Sequence, residues 1–276
     1  MSIFAKVSVS DPPAGRSSRL SIETKDGAPM VRIICFWSML LVMLCLCQVH
    51  AADLLARADR LCSKKTLQDM RQCLELTAQA AASSPESYEA NWKAARAARF
   101  VAEYSKRRNV EGWQDICARL GRKGMAFAKK AVELEPDRVE GHFYYGLCVG
   151  NYSDGVSIFT AIGEGLKGKA RRHLEKACAI DKTYEDATPV LALGRFWQIL
   201  PWPMRDRDKA LTCYQEALEL IPDGSPFRQE LYVYLGELLL DMGQKEQKAR
   251  RLLQRAAAGD NRYFSDWAQR LLKANR

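Results

Sequence analysis

The sequence predicts an all-α protein, a solenoid of helical hairpins that ends in a capping helix. Three observations support this prediction. A pattern of small and apolar residues recurs five times at fixed internal spacing. Apolar residues near the C terminus recur at helical spacing, and the hydrophobic content of 47% over 276 residues is enough to bury a core.

The recurring pattern consists of a small residue, an apolar residue four positions on and an alanine after three more, with proline following in three copies. Its five copies are Cys73-Thr77-Ala80, Gly124-Ala128-Ala131, Ala170-Leu174-Ala177, Ala210-Tyr214-Ala217 and Ala249-Leu253-Ala256. Small side chains at two points of a helix allow a second helix to approach closely, and the larger residue between them fills the gap. Proline ends the helix before the next hairpin begins.

This pattern resembles the second half of the tetratricopeptide-repeat (TPR) signature. The first-helix half, W-x2-L-G-x2-Y, is eroded to fragments such as Trp92, Tyr145-Gly146, Leu191 and Leu235-Gly236. The resemblance covers residues 53–276 and implies a right-handed α-solenoid that binds other molecules.

The repeats are longer than the TPR period of about 34 residues. Successive marker alanines, from Ala80 to Ala256, are 51, 46, 40 and 39 residues apart. We expect the surplus to form insertions inside the hairpins, at residues 106–114, 152–168 and 200–208, which project from one end of the solenoid. Residues 262–274 should form the capping helix.

Two further segments narrow the resemblance. Residues 163–169, rich in glycine and lysine, lead into the third copy, and residues 192–203 end in Pro201-Trp202-Pro203 before the fourth. Both are similar to TRAP-transporter-associated periplasmic TPR proteins and, more distantly, to the regulator of microtubule dynamics family. The first group implies a periplasmic partner of a solute-binding protein with a hydrophobic cavity.

The N terminus has the composition of an export signal. Residues 1–29 lack apolar periodicity, which predicts disorder or a start of translation at Met30. A basic residue, an apolar run over 33–47 and small residues before Ala52 predict a signal peptide over 30–51, followed by the repeat domain over 52–276. We therefore expect a periplasmic or otherwise exported protein; the alternative is a membrane anchor through residues 33–49.

Six cysteines remain once the predicted signal is removed. Cys62 and Cys73 flank the turn of a predicted hairpin and are the candidate disulfide in an oxidising compartment. Free buried thiols are favoured for the other four, and no CxxC spacing indicates a metal site.

Catalysis is not expected. Gly163-x4-Gly168-Lys169-Ala170 resembles a phosphate-binding loop, but Ala170 lacks the hydroxyl that would ligate magnesium. His142 and His173 are interpreted as structural residues. The formal charge of +9 is spread over interleaved acids and bases, which argues against nucleic acid. We expect no cofactor and no metal; the alternative is an enzyme or enzyme subunit with a site in the inserted loops.

The TPR resemblance implies that the faces of the first helices line a binding groove. The predicted groove is mostly apolar. It is obtained by treating four residues as the same position of successive first helices: Trp92, His142, Thr188 and Tyr232. Its predicted residues are Lys93, Ala97, Phe100, Val101, Phe143, Leu147, Gly150, Asn151, Pro189, Leu193, Phe196, Trp197, Val233 and Glu237, with Trp202 from an insertion folded over them. The predicted partner is a protein, a small hydrophobic ligand or a second copy of the chain. The alternative is that these aromatic residues belong to the core between repeats.

Overall fold

A computed structural model describes residues 28–64, 66–243 and 245–275. The chain divides into two compact units, Met1–Cys45 and Leu46–Arg276. Helix α1 spans Ala28–Cys62. The predicted disorder over 1–29 therefore lies outside the described residues, apart from the first two residues of α1. Among the described residues, no helix is both long enough and apolar enough to cross a membrane.

The second unit consists of antiparallel helical hairpins. Its helices after α1 are α2 Leu67–Ser83, α3 Tyr88–Arg107, α4 Trp113–Leu134, α5 Val139–Gly155, α6 Ile158–Gly163, α7 Leu166–Ile180, α8 Tyr184–Ile199, α9 Arg207–Leu220, α10 Phe227–Asp241, α11 Glu246–Ala257 and α12 Arg262–Ala274. Residues 46–62 of α1 form the first hairpin with α2; the others are α3/α4, α5/α7, α8/α9 and α10/α11, and α12 closes the array. The predicted all-α solenoid is confirmed.

The marker residues explain how the paired helices pack. Ala80, Ala131, Ala177, Ala217 and Ala256 are all fully buried. The middle residues of the pattern face glycines of the first helices: a Cβ on Gly146 would lie 2.6 Å from Leu174, and one on Gly236 would lie 2.7 Å from Leu253. The second-helix pattern therefore marks the points of closest approach inside each hairpin.

The surplus repeat length lies mainly in longer helices, which corrects the prediction of insertions. Helices α3 and α4 contain 20 and 22 residues, whereas α9 and α11 contain 14 and 12. Residues 108–112 alone connect α3 to α4, and the segment 152–168 includes α6. Residues 200–206 form the longest connection without a helix among the described hairpins. The prediction failed because the marker pattern fixes where helices touch and not how far they extend.

Local sequence sets the helix starts. Ser87, Asp206 and Asn261 accept hydrogen bonds from backbone N–H groups of the first turns of α3, α9 and α12. Helix α8 opens with three left-handed residues, 185–187, before the right-handed part begins. Pro189 therefore lies in the first right-handed turn, where its missing N–H costs no helical hydrogen bond.

The C-terminal helix has the bounds predicted for the cap. Phe264 and Ala268 of α12 are buried, while Arg262 and Arg270 face solvent. The ring of Tyr234 on α10 meets Phe264 and Trp267 edge-on at centroid distances of 6.1 and 5.7 Å. The cap thus covers the last hairpin with aromatic side chains.

Candidate binding site on the first helices

The first helices of four hairpins, together with α12, bring charged, amide and aromatic side chains together. We call this set the central cluster. Its members are Arg99, Glu103 and Arg107 of α3, Asn151 of α5, Arg195 and Gln198 of α8, Glu230, Tyr234 and Glu237 of α10, and Trp267 of α12.

The α3 side of the central cluster is a carboxylate between two guanidinium groups. Arg99 and Arg107 lie one turn before and after Glu103, and both pair with it, Arg107 Nε at 2.7 Å from Oε1. Burial by itself would raise the pKa of Glu103, but the charges of Arg99 and Arg107 outweigh burial and hold that pKa well below its ordinary value. Glu103 therefore stays ionised and fixes the directions of both arginines.

Helix α5 joins this group through one amide. Asn151 Oδ1 accepts a hydrogen bond of 3.0 Å from Arg99 Nη1, and Asn151 Nδ2 donates to Glu103 Oε2 at 3.4 Å. A turn further along, Lys106 Nζ pairs with Asp154 Oδ2 at 2.6 Å. The second and third hairpins are thereby connected across their first helices by polar contacts.

Arg107 extends the central cluster to the end of the array. Its Nη2 lies 3.6 Å from Glu230 Oε2 on α10. Its guanidinium carbon lies 4.8 Å from the ring centre of Phe264 and 5.2 Å from that of Tyr263, both on α12. One side chain therefore connects the second hairpin to the fifth and to the cap.

The α8 side is built in the same way. Arg195 Nη1 lies 2.7 Å from Glu237 Oε2, and Gln198 Nε2 donates to the same oxygen at 3.0 Å. The guanidinium of Arg195 also lies over the rings of Tyr234 and Trp267, at 4.4 and 5.1 Å. Arginine is favoured over lysine at this position, because its planar guanidinium can stack on aromatic rings and can donate two parallel hydrogen bonds to one partner.

These charged groups keep contact with solvent. The side chains of Arg99, Glu103, Arg107, Arg195 and Glu237 are between 17% and 28% accessible. Hydrogen-bonding groups that are held in place and still reachable are suited to binding a polar ligand such as a peptide backbone.

The glycines fix the register of the first helices and correct the predicted one. A Cβ on Gly194 would lie 2.6 Å from Tyr214, the same relation that Gly146 and Gly236 have to their second helices. The position four residues before Gly194 is Val190, so Thr188 is two residues out of register with His142 and Tyr232.

This shift explains which groove residues the sequence missed. Counting from Val190 instead of Thr188 replaces Leu193, Phe196 and Trp197 with Arg195, Gln198 and Ile199. The same two-residue shift on α3 replaces Ala97, Phe100 and Val101 with Arg99, Ala102 and Glu103. The sequence contains a signal that would have located the correct groove residues: Leu193-Gly194 aligns with Tyr145-Gly146 and Leu235-Gly236.

The predicted site residues accordingly have different environments. Phe143, Phe196 and Trp197 are buried in the main core, which favours the core interpretation of these aromatics. Phe100, Leu147 and Leu193 are half-buried. Asn151 belongs to the central cluster.

Trp202 requires a correction. It lies in the α8–α9 connection between Pro201 and Pro203, and it is 88% exposed. It therefore does not cover a groove, because its place at the end of a hairpin directs it away from the packed faces.

The cysteine pair belongs to the first hairpin, with Cys62 at the end of α1 and Cys73 inside α2. A disulfide joins Cys62 to Cys73, whose Cα atoms lie 5.6 Å apart. Cys117 and Cys148 are buried thiols, and burial raises their pKa values to about 11 and about 12. Buried thiols with raised pKa values carry little thiolate and are poor nucleophiles.

The two histidines of the repeat domain contact each other. His142 Nδ1 and His173 Nδ1 lie 3.0 Å apart, and His142 Nε2 lies 3.0 Å from the carbonyl oxygen of Pro136. A carbonyl oxygen only accepts, so His142 carries its proton on Nε2 and accepts from His173 through Nδ1. Burial lowers the pKa of both, that of His173 to about 4, with the His142 and Arg172 charges adding to the shift.

Within the described residues, no group of three or more His, Cys, Asp or Glu side chains is arranged to hold a metal.

Comparison with known proteins identifies relatives of the chain. Residues 54–198, just over half of the chain, match the family model described as regulator of microtubule dynamics protein 1-3. Regulator of microtubule dynamics protein 1 of Pongo abelii is 25% identical over 72% of this chain and 64% of its own length. The mouse protein of the same name, from Mus musculus, is 26% identical over 72% of this chain and 66% of its own length. The matches thus span less than two thirds of these relatives.

Among solved structures, the chain is similar to TTC0263, a thermophilic TPR protein of Thermus thermophilus. The TM-score is 0.57 at 20% identity, and the match covers 80% of this chain and 99% of that one. This likeness confirms the TPR fold.

Proposed function

Because the chain belongs to the regulator of microtubule dynamics protein 1-3 family, we propose that it is a non-catalytic scaffold that binds a protein partner through the central cluster. The observation that carries the proposal is the partly accessible arrangement of Arg99 and Glu103 on α3 and of Arg195 on α8. TPR-type helical arrays are suited to binding other proteins, since their stacked helices present one extended surface.

The chemistry of the central cluster defines the partner. The arginines offer N–H donors to carboxylates or backbone carbonyls. The buried amides of Asn151 and Gln198 accept hydrogen bonds from Arg99 and Arg195 and so hold these arginines in place. Each donor is already oriented by Glu103 or Glu237. An extended polypeptide with acidic side chains would meet donors that lose little conformational entropy on binding.

The names of the relatives suggest polymerised tubulin as the first partner to test. Co-sedimentation of the full chain with microtubules should be reduced several-fold by Arg195→Gln, which removes a donor and leaves Gln198 bonded to Glu237. Arg119→Gln is the matched control, because Arg119 is exposed on α4, the second helix of its hairpin.

Two results would contradict this proposal. Absence of the wild-type chain from the microtubule pellet would exclude tubulin as the partner. Equal binding by the wild type and Arg195→Gln would exclude the central cluster as the site.

A second proposal follows from the N-terminal segment. An exported scaffold, acting in the cell envelope with a TRAP-type transporter and its solute-binding protein or with a small hydrophobic ligand, is supported by the signal-like residues 30–51. The Cys62–Cys73 disulfide also supports export, since such bonds persist in oxidising compartments. An apolar ligand would have to contact the half-buried Phe100, Leu147 and Leu193.

The mature N terminus and the compartment distinguish the two proposals. Protein purified from its native cells that begins near Ala52 and is found outside the cytoplasm would support the exported scaffold. Peptides from residues 33–47 recovered from cytoplasmic protein would contradict it.

A further inference from the structure

Exposed apolar side chains are concentrated at two hairpin ends. Within the described residues from 51 onward, the exposed large hydrophobic residues are Ile158, Phe159, Ile162, Ile199 and Trp202. We call them the apolar edge. Phe159 and Trp202 are 83% and 88% exposed. Single exposed apolar residues are ordinary on protein surfaces, but their restriction to two short segments is not.

The topology places both segments at one edge of the array. Residues 156–165 connect α5 to α7, and residues 200–206 connect α8 to α9, so each segment links the two helices of one hairpin. These hairpins are neighbours in the stack, and α8 contacts both α5 and α7. First helices of successive hairpins run in the same direction, so their C-terminal ends lie on the same side.

The charges beside the first segment of the apolar edge, residues 156–165, leave an excess of unpaired basic groups. Within the described residues, Lys167 and Lys169 form no ion pair, whereas the nearby Glu164 lies 3.5 Å from Arg122 and accepts a hydrogen bond from Tyr152. The charge of Glu164 is therefore already paired, whereas the charges of Lys167 and Lys169 are not. An anionic surface would complement this segment.

We propose that the apolar edge docks the protein onto an anionic membrane surface, with Phe159 and Trp202 inserted at the level of the lipid headgroups. Aromatic side chains favour that depth, and unpaired lysines beside them add attraction to anionic lipids. The residues lie on hairpin ends and not in a groove, which suits contact with a broad soft surface better than capture of a peptide. The proposal is independent of the central cluster.

Trp202 supplies a direct measurement. The full chain is mixed with phosphatidylserine vesicles that contain brominated phosphatidylcholine, and tryptophan fluorescence is compared between the wild type and Trp202→Phe. The difference isolates Trp202 from the other five tryptophans of the chain. Total vesicle binding is not the readout, because the apolar residues 33–47 can bind lipid by themselves.

We expect the brominated lipid to quench the fluorescence of Trp202. The double variant Phe159→Ser with Ile162→Ser should reduce that quenching several-fold. Gln247→Ser with Gln254→Ser on the exposed surface of α11 is the matched control and should leave it unchanged. An unquenched Trp202 would overturn the proposal, and so would equal quenching by vesicles without phosphatidylserine. Loss of self-association in the Phe159 and Ile162 variant, with Trp202 unquenched in the wild type, would assign the edge to a second copy of the chain instead.

Discussion

Arg107 on α3 lies 3.6 Å from Glu230 on α10, although 122 residues separate them in the chain. Contacts inside a solenoid normally join neighbouring repeats. This pair instead connects the second hairpin with the fifth, and the same guanidinium stacks on Phe264 of the cap. The first-helix side of the array is therefore held by its own side chains as well as by the packing of adjacent hairpins.

Replacing Arg107 with leucine should lower the free energy of unfolding by about 1–3 kcal/mol, because Glu103 and Glu230 each lose a partner while only partly exposed. The radius of gyration measured by X-ray scattering should also increase. Arg251→Leu is the control, since Arg251 is exposed on α11 and forms no ion pair among the described residues. Unchanged scattering with lowered stability would show that Arg107 does not restrain the ends of the array.

Gly194 should tolerate no side chain. A Cβ there would lie 2.6 Å from the ring of Tyr214, which is itself fully buried. We expect Gly194→Ala to cost about 1–3 kcal/mol in urea unfolding, despite the better helix propensity of alanine. Gly150→Ala, on the open side of α5 with no atom within 4 Å of the new Cβ, should be neutral or stabilising. Equal effects of the two substitutions would contradict the close helix approach.

The sequence predicted the fold because its markers report contacts. Ala80, Ala131 and the later alanines are small where helices must touch, so their recurrence locates each hairpin. The capping helix could also be predicted, since the apolar residues over 262–274 recur at helical spacing and fall on one face of a helix. Helix lengths were not visible: a surplus of residues between markers is the same whether it lengthens a loop or, as in α3 and α4, a helix.

The central cluster was hidden for a different reason. Arg99, Glu103 and Arg107 are four residues apart, the usual spacing of charge pairs on a solvated helix face. Nothing in that spacing shows that Arg107 reaches α10 and α12. The eroded first-helix signature then moved the expected groove by two residues, which put Leu193 and the buried Phe196 in the places of Arg195 and Gln198.

The Cys62–Cys73 disulfide should contribute to stability. It closes a loop whose ends are 11 residues apart in sequence. Replacing both cysteines with alanine should lower the free energy of unfolding by about 2–3 kcal/mol, mainly by freeing the unfolded chain. Cys178→Ala is a control on a thiol that forms no disulfide. Peptide mapping without reductant that finds Cys62 and Cys73 both as free thiols in native protein would contradict the bridge.

The contact between His142 and His173 predicts that acid destabilises the third hairpin. The pKa of His173 falls from 6.5 in the unfolded chain to about 4 in the folded one. The unfolded state therefore binds more protons between these values, so stability is fully present above pH 6.5 and declines as the pH falls towards 4. Since His173 is only partly buried, we expect a loss of about 1–2 kcal/mol over this range.

His173→Phe tests this directly, because it keeps an aromatic ring against Tyr145 and removes the titrating group. The difference in unfolding free energy between pH 7 and pH 4.5 should be smaller in this variant than in the wild type. The surrounding charges, Lys176 and Asp137 near His142 and Arg172 near His173, are unchanged by the substitution. An identical pH dependence in both proteins would mean that carboxylates, and not the histidine pair, set the acid sensitivity.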